Sequence, residues 1–115
     1  MKPATAFKVL TAEQMAKLEA DGSFAGAPVD LADGYVHLST FDQLTETVDR
    51  HFGGQDDLHV AEVDLEVLGD AVKWEPSRGG QLVPHLYASL PLNAVVAYGP
   101  LHRDEAGTVK RPTTG

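Results

Sequence analysis

The order of helical and strand patterns along the chain places the tightest limit on its fold. The two clear helical patterns lie in the first half, at residues 11–22 and 40–52, and each ends at glycine. Most strand patterns follow the second helix. Strand patterns cover residues 6–11, 35–38, 57–68, 71–76, part of 81–90, and 93–101. Because helices and strands are segregated and no GxGxxG or P-loop motif follows a strand, the sequence predicts an α+β fold rather than a doubly wound parallel sheet.

Local patterns refine this outline. Thr11 and Gln14 have the spacing of a capping box at the start of the first helix. Residues 57–68 begin as a strand that is apolar on both faces, which predicts a central position in a sheet. Glycine, proline and aspartate recur through residues 23–34, and this composition predicts a loop.

Composition indicates a single small domain. The 115 residues suffice for one domain, and the polar composition of residues 102–115 predicts a flexible tail after a domain at 1–101. The chain has no cysteine, no secretory leader pattern and no run of about 20 apolar residues. The sequence therefore predicts a cytoplasmic protein without a membrane span; it does not predict the oligomeric state.

Net charge limits the choice of partners. Nine basic and seventeen acidic residues give a formal charge of -8. Such a field repels polyanions, so nucleic acid and anionic membranes are not expected partners. A small anion remains compatible with this charge, because backbone amides and one or two cations can hold it locally.

The segment DGYVHLST, residues 33–40, is the first candidate site. If it is a strand, Val36 and Leu38 share one face. The other face then carries Tyr35, His37 and Ser39. Ser39 and Thr40 then stand at the beginning of the second helix, where unpaired amides favour an anion. Alternatively, Thr40 is only a helix cap and His37 is a paired, half-buried strand residue.

The segment WEPSRGGQLVPHLY, residues 74–87, is the second candidate site. It brings a carboxylate, a cation, an imidazole and a phenol within fourteen positions: Glu75, Arg78, His85 and Tyr87. His85 and Tyr87 share a face if the segment is extended. An ordinary hairpin with Trp74 in the core is the alternative interpretation. No HxH, HExxH or Cys/His spacing occurs, so the sequence predicts no metal site.

Three segments together resemble the bacterial family known as domain of unknown function 952. They are DGYVHLST, DLHVAEVDLEVLGDAVKWE and PHLYASLPLNAVV, in this order. The resemblance covers residues 7–101. The family usually has glycine after the tyrosine and phenylalanine before the proline, where this chain has Ala88 and Val83.

The resemblance implies an ADP-ribosyltransferase-like fold, because the family is grouped with such folds. The run YVHLST is also similar to the HVHLS segment of RNA 2'-phosphotransferases. The implied architecture is two small, mainly antiparallel sheets around a cleft, with the helices outside. In the active relatives this cleft holds an NAD-type dinucleotide. NAD is therefore the implied ligand or substrate, and no resident cofactor is expected.

The resemblance also implies roles for the polar residues. In the relatives, a histidine and a tyrosine hold the ribose and nicotinamide, and a glutamate steadies the positive charge that develops as nicotinamide leaves. A carboxylate lowers such a barrier electrostatically. The expected catalytic residues are Glu75, His37 and His85. The expected ligand-binding residues are Ser39, Thr40, Tyr87, Arg50 and Arg78, with either arginine pairing with the pyrophosphate.

Three hypotheses follow from the sequence. The first is a cleft that binds NAD or a related phosphorylated nucleotide and transfers or cleaves ADP-ribose. The second is a non-catalytic module that binds a small anionic metabolite or a protein partner. The third is a structural protein in which these polar residues only satisfy one another.

Overall fold

The computed structural model describes residues 4–77 and 80–112, and these residues form an α+β fold with small antiparallel sheets. The strands are β1 Thr5–Thr11, β2 Ser23–Phe24, β3 Val36–His37, β4 Leu58–Asp64, β5 Val72–Pro76, β6 Leu82–Leu86, β7 Leu90–Pro91 and β8 Val95–Pro100. The helices are α1 Ala12–Asp21, α2 Pro28–Asp33, α3 Phe41–His51 and α4 Leu65–Leu68. The predicted α+β class with small antiparallel sheets is confirmed.

The largest strands form an antiparallel sheet in the order β1-β4-β8. The apolar strand β4 lies at its centre, as its sequence predicts. The edge of β1 that does not pair with β4 is bound to the residues just after β3. Phe7 and Ser39 exchange two backbone hydrogen bonds there, at 2.7 and 2.8 Å. This bridge fixes the first candidate site against the large sheet.

The remaining strands of the described chain form a sheet in the order β3-β6-β5 and a two-stranded β2-β7 pair. In the β3-β6 ladder, His37 stands directly opposite His85. Opposed residues of an antiparallel pair point to the same face, so both imidazoles emerge side by side. The two segments identified in the sequence therefore meet in one sheet.

Alternation along β1 divides the buried side chains between two apolar clusters. Phe7 and Val9 belong to one cluster, in which Leu44 and Val48 of α3 also lie. Ala6 and its neighbours on the other face belong to the second cluster. This is the period-two pattern of a strand buried on both faces. Lys8 shares the face of Ala6 and is itself buried.

Helix α1 begins as predicted. Thr11 Oγ1 accepts a hydrogen bond from the Gln14 amide at 3.1 Å, and the Thr11 amide donates to Gln14 Oε1 at 3.0 Å. These two bonds complete the capping box. Gly22 then ends the helix with a positive φ of 77°.

Residues 23–34 differ from the predicted loop, since they contain β2 and α2. Pro28 occupies the start of α2, where its fixed φ suits a helix and its missing N–H costs nothing. The Ala27 amide donates to the carboxylate of Asp30 at 2.8 Å, and Gly34 ends the helix at φ 89°. The proline and glycine that indicated a loop are thus the two ends of a short helix.

Residues 103–111 pack against α3. Val109 is buried, and its amide donates to Thr45 Oγ1 at 2.8 Å. Arg103 donates to the carboxylate of Asp49 at 2.8 Å. These contacts join residues 103 and 109 to α3. None of the helices in the described ranges has both the length and the apolar character needed to cross a membrane.

Candidate functional site

A cleft of about 1020 Å³ lies in the protein, lined by residues of β1, α2, β3, β6 and α3. This volume is at the upper end of the range of ligand pockets, about 300–1000 Å³. Lys8 of β1, Asp30 of α2 and His85 of β6 line the cleft, and so does Tyr35, which immediately precedes β3. Helix α3 contributes Arg50 and others. The cleft therefore brings together parts of the chain that are far apart in sequence.

Three rings form the polar wall of this cleft. The ring centroids of the cross-strand pair His37 and His85 lie 5.6 Å apart. Tyr35 precedes His37 by two positions, so it emerges on the same face. Its ring stacks on His85 at a centroid distance of 4.0 Å and an interplanar angle of 21°. The three rings therefore lie together at this wall of the cleft.

Asp30 organises this wall from behind. Its carboxylate is almost fully buried, with 1% exposure. Oδ2 accepts hydrogen bonds from Lys8 Nζ at 2.9 Å and the Ala27 amide at 2.8 Å. Oδ1 accepts from the His37 amide at 3.1 Å and lies 2.5 Å from His37 Nδ1. One carboxylate therefore connects β1, α2 and β3 at the cleft.

The Lys8–Asp30 pair is a buried ion pair. The two side chains are 5% and 1% exposed. Burial lowers the pKa of Lys8, while the charge of Asp30 and the hydrogen bond to it act in the opposite direction. Burial alone would raise the pKa of Asp30, but the hydrogen bond with His37 and the charge of Lys8 hold it well below its usual range. Asp30 is therefore a carboxylate at neutral pH.

Glu75 supports the second imidazole. Its Oε1 accepts a hydrogen bond from Tyr87 Oη at 2.6 Å and lies 2.8 Å from His85 Nδ1. The bonds from Tyr87 and His85 lower the pKa of Glu75. The hydrogen bond to Glu75 in turn raises the pKa of Tyr87 to about 12. Of these three residues, only His85 lines the cleft.

Both imidazoles have a carboxylate at Nδ1, but their Nε2 atoms have different surroundings. Each Nδ1 faces a carboxylate, which fixes the ring orientation. Nε2 of His37 lies 3.0 Å from Oδ2 of Asp33, a side chain that is 46% exposed. A neutral imidazole donates from one nitrogen only, so both contacts of His37 are satisfied as hydrogen bonds only by the doubly protonated ring. His85 has a carboxylate at one nitrogen alone among the described residues.

Of the expected ligand-binding residues in the described ranges, Arg50 and Ser39 line the cleft, whereas Thr40 and Tyr87 do not. Arg50 lines the cleft from α3, and its Nη1 lies 3.7 Å from Glu46 Oε1. Ser39 also lines the cleft but is buried, and its hydroxyl lies within hydrogen-bonding distance of the Thr40 carbonyl and Thr47 Oγ1. Thr40 precedes α3 as its N-cap residue, yet its side chain makes no capping hydrogen bond. Arg78 lies outside the described residues.

Comparison with known proteins identifies the family. The sequence profile of the family described as "Protein of unknown function (DUF952)" matches residues 9–98. The chain belongs to this family. The match covers the polar wall of the cleft and the strands that support it. No curated protein matches the chain.

Solved structures share the fold of this DUF952 chain. It is similar to the crystal structure of protein CC0527 from Caulobacter crescentus, with 40% sequence identity and a TM-score of 0.84. That comparison covers 92% of this chain and 93% of the other. The solution structure of CC0527 gives 40% identity and a TM-score of 0.78, over 93% of this chain and 91% of the other.

Sequence reasoning missed three residues of the candidate site. Lys8 is the polar residue in the middle of an apolar strand, which is the pattern that would have identified it. Asp30 lies in the segment that the sequence predicts to be a loop, whereas the structure places it in α2. Alternation along residues 35–39 predicts that Tyr35 shares a face with His37, but its stacking on His85 depends on the pairing of β3 with β6. In the described ranges, no group of three or more acidic or histidine side chains is arranged to hold a metal ion.

Proposed function

We propose that the cleft binds NAD or a related phosphorylated nucleotide, and that the chain has an ADP-ribosyltransferase-like fold. The observation that carries this proposal is the stacked Tyr35–His85 pair beside His37 in the wall of a cleft of about 1020 Å³. Aromatic faces of this kind stack on nucleobases and on nicotinamide. The adjoining imidazole edges offer hydrogen bonds to ribose hydroxyls.

The cationic groups of the cleft support a phosphorylated ligand. Lys8 is neutralised by Asp30 at 2.9 Å, so it contributes little free positive charge. Arg50 is 59% exposed, and its ion-pair contact within the described part of the chain is the 3.7 Å approach to Glu46. An exposed i,i+4 pair of this kind is weak, so Arg50 is available to pair with a phosphate by bidentate hydrogen bonds.

Transfer or cleavage of ADP-ribose is the catalytic form of the proposal. It needs a carboxylate near the ribose carbon as nicotinamide leaves. Glu75 does not line the cleft, and its Oε1 is engaged by both His85 and Tyr87. In this form of the proposal, Glu75 therefore acts through His85, which it orients, rather than by direct contact with the ribose.

A non-catalytic module that binds a small anionic metabolite is the second candidate function. The position of Glu75 favours it, because the carboxylate expected to stabilise charge in the reaction supports a ring instead. The same cleft, the same aromatic wall and the same arginine serve both functions. Release of nicotinamide distinguishes them.

An NMR titration of labelled protein with NAD tests the proposal. Binding predicts shifts of backbone amides at residues 35–43 and 82–87, and Arg50→Ala should weaken the affinity about tenfold or more. Lys17→Ala is the matched control, since Lys17 forms a similar exposed i,i+4 pair on α1 and does not line the cleft. Free nicotinamide in the one-dimensional spectrum would support catalysis, and shifts alone would support the binding module. Unchanged amides at millimolar NAD would contradict the proposal.

A further inference from the structure

We propose that His85 and His37 form a general base and general acid pair that hydrolyses small ribonucleotide phosphodiesters, with nucleoside 2',3'-cyclic phosphates as the substrate class. This inference rests on the proposed function, because the cleft must first bind a phosphorylated nucleotide. It adds a reaction that does not need NAD. The observation behind it is the pair of carboxylate-oriented imidazoles 5.6 Å apart at one cleft wall.

His85 has the features of a general base. Its Nδ1 faces Oε1 of Glu75 at 2.8 Å, so the proton of a neutral ring resides on Nδ1 and the lone pair on Nε2. Within the described residues, Nε2 has no hydrogen-bond partner, and His85 lines the cleft. A base whose ring is fixed by a third group is the arrangement that activates a water or hydroxyl nucleophile.

His37 has the features of the complementary acid. The contacts with Asp30 at Nδ1 and Asp33 at Nε2 are both hydrogen bonds only when the ring carries both protons, and in that form Nε2 has a proton to donate. Asp33 is 46% exposed, so its carboxylate can return to water when a substrate oxygen takes its place at Nε2. Asp30 is buried and remains on Nδ1. The ring can then donate the Nε2 proton while its orientation is kept.

The reaction balances with water as the second substrate. Nε2 of His85 takes a proton from water as the water oxygen forms a bond to phosphorus. The bond between phosphorus and the ribose 2' or 3' oxygen breaks, and that oxygen receives the Nε2 proton of His37. The product is a nucleoside phosphomonoester. His85 returns its proton to solvent and His37 regains one, so the site is ready for another turnover.

The electrostatics favour a small substrate. The Nε2 proton of doubly protonated His37 and the exposed Arg50 can pair with a single phosphodiester anion, whereas the formal charge of -8 repels a long polyanion. Tyr35 stacks on His85 and lines the cleft, which gives the base of a mononucleotide an aromatic surface. A mononucleotide cyclic phosphate meets these conditions better than polymeric RNA.

The test is a phosphorus NMR assay of purified protein with adenosine and cytidine 2',3'-cyclic phosphates in the presence of a chelator. We expect the cyclic phosphate signal to convert to a monoester signal. Replacing either imidazole, in His85→Gln or His37→Gln, should slow the conversion at least about 100-fold, the usual contribution of a general acid or base. His59→Gln is the matched control, because His59 lies on β4 and does not line the cleft; it should retain the rate.

The outcomes separate this inference from the proposed function. Binding of NAD and of adenosine 3'-phosphate is measured on the same folded samples, with amide spectra confirming that each variant retains the fold. Nucleotide binding without turnover would overturn the acid–base inference and leave the proposed function standing. Turnover that survives both substitutions would overturn the assigned roles. If the protein shows neither nucleotide binding nor turnover, both proposals are overturned.

Discussion

Replacing Lys8 with methionine should destabilise the protein strongly. Methionine has a similar length but no charge, so the variant leaves the Asp30 carboxylate buried at 1% exposure without its counter-ion at 2.9 Å. Three of the hydrogen bonds to Asp30 remain, from Ala27 and His37. Removing one member of a buried ion pair typically costs about 3–5 kcal/mol. That is a large fraction of the total stability of a small domain, about 5–15 kcal/mol.

The matched control is Lys17→Met. Lys17 Nζ lies 3.0 Å from Asp21 Oδ2, almost the same distance as in the buried pair, but the two side chains are 68% and 50% exposed. Exposed pairs contribute about 0–1 kcal/mol. The two variants remove the same charge and differ in burial, so their difference isolates the effect of the buried site.

Urea unfolding followed by circular dichroism and by the single tryptophan measures both variants. With a denaturant dependence of about 1–3 kcal/mol per molar urea, the Lys8 variant should unfold roughly 2 M earlier. The double variant Lys8→Met/Asp30→Asn should cost less than the sum of the single variants, since it removes both buried charges. Equal midpoints for the Lys8 and Lys17 variants would refute the reasoning that burial makes this pair important.

Three further predictions follow from the same geometry. Because the folded-state pKa of Asp30 is depressed, its contribution to stability is present above about pH 4 and is lost as the pH falls towards the folded pKa. Asp30→Asn should therefore flatten the decline of the unfolding free energy between about pH 5 and 2. An unchanged slope of this free energy against pH, measured by urea unfolding, would contradict the prediction. Glu75→Gln should move the ionisation of Tyr87 from about 12 towards about 10, as followed by tyrosinate absorbance, and an unmoved titration would mean that the 2.6 Å bond does not set it. Gly26→Ala should lower the free energy of unfolding by at least about 1 kcal/mol more than Gly34→Ala, as measured by thermal unfolding. The reason is that a Cβ added at Gly26 would lie 2.7 Å from Asp30 Cβ, whereas a Cβ at Gly34 would meet open space. Equal losses of stability in the two variants would contradict this crowding.

The sequence predicts the parts of the fold that depend on local patterns. The capping box of Thr11 and Gln14, the central strand at 58–64 and the buried pair Val36 and Leu38 are all present. Each follows from side-chain spacing within a few residues. The predicted loop at 23–34 was wrong because proline and glycine mark the ends of helices as well as loops.

The candidate site depends on contacts that no local pattern encodes. Lys8 and Asp30 are 22 positions apart, and His37 and His85 are brought together only by the β3-β6 register. The polar residues of the two motifs could be selected by type, but their pairings could not. The roles of Glu75 and Asp30 as supports of the two imidazoles therefore became apparent only from the structure.

The most direct test of nucleotide binding at the polar wall is the imidazole spectrum of the protein, recorded by long-range proton–nitrogen NMR as NAD is added. His37, His51 and His85 line the cleft, whereas His59 and His102 do not, so the protein contains its own controls. Binding at the wall predicts saturable shifts of His37 and His85 with His59 and His102 unchanged. Saturable shifts confined to the control histidines, or none at millimolar NAD, would contradict it.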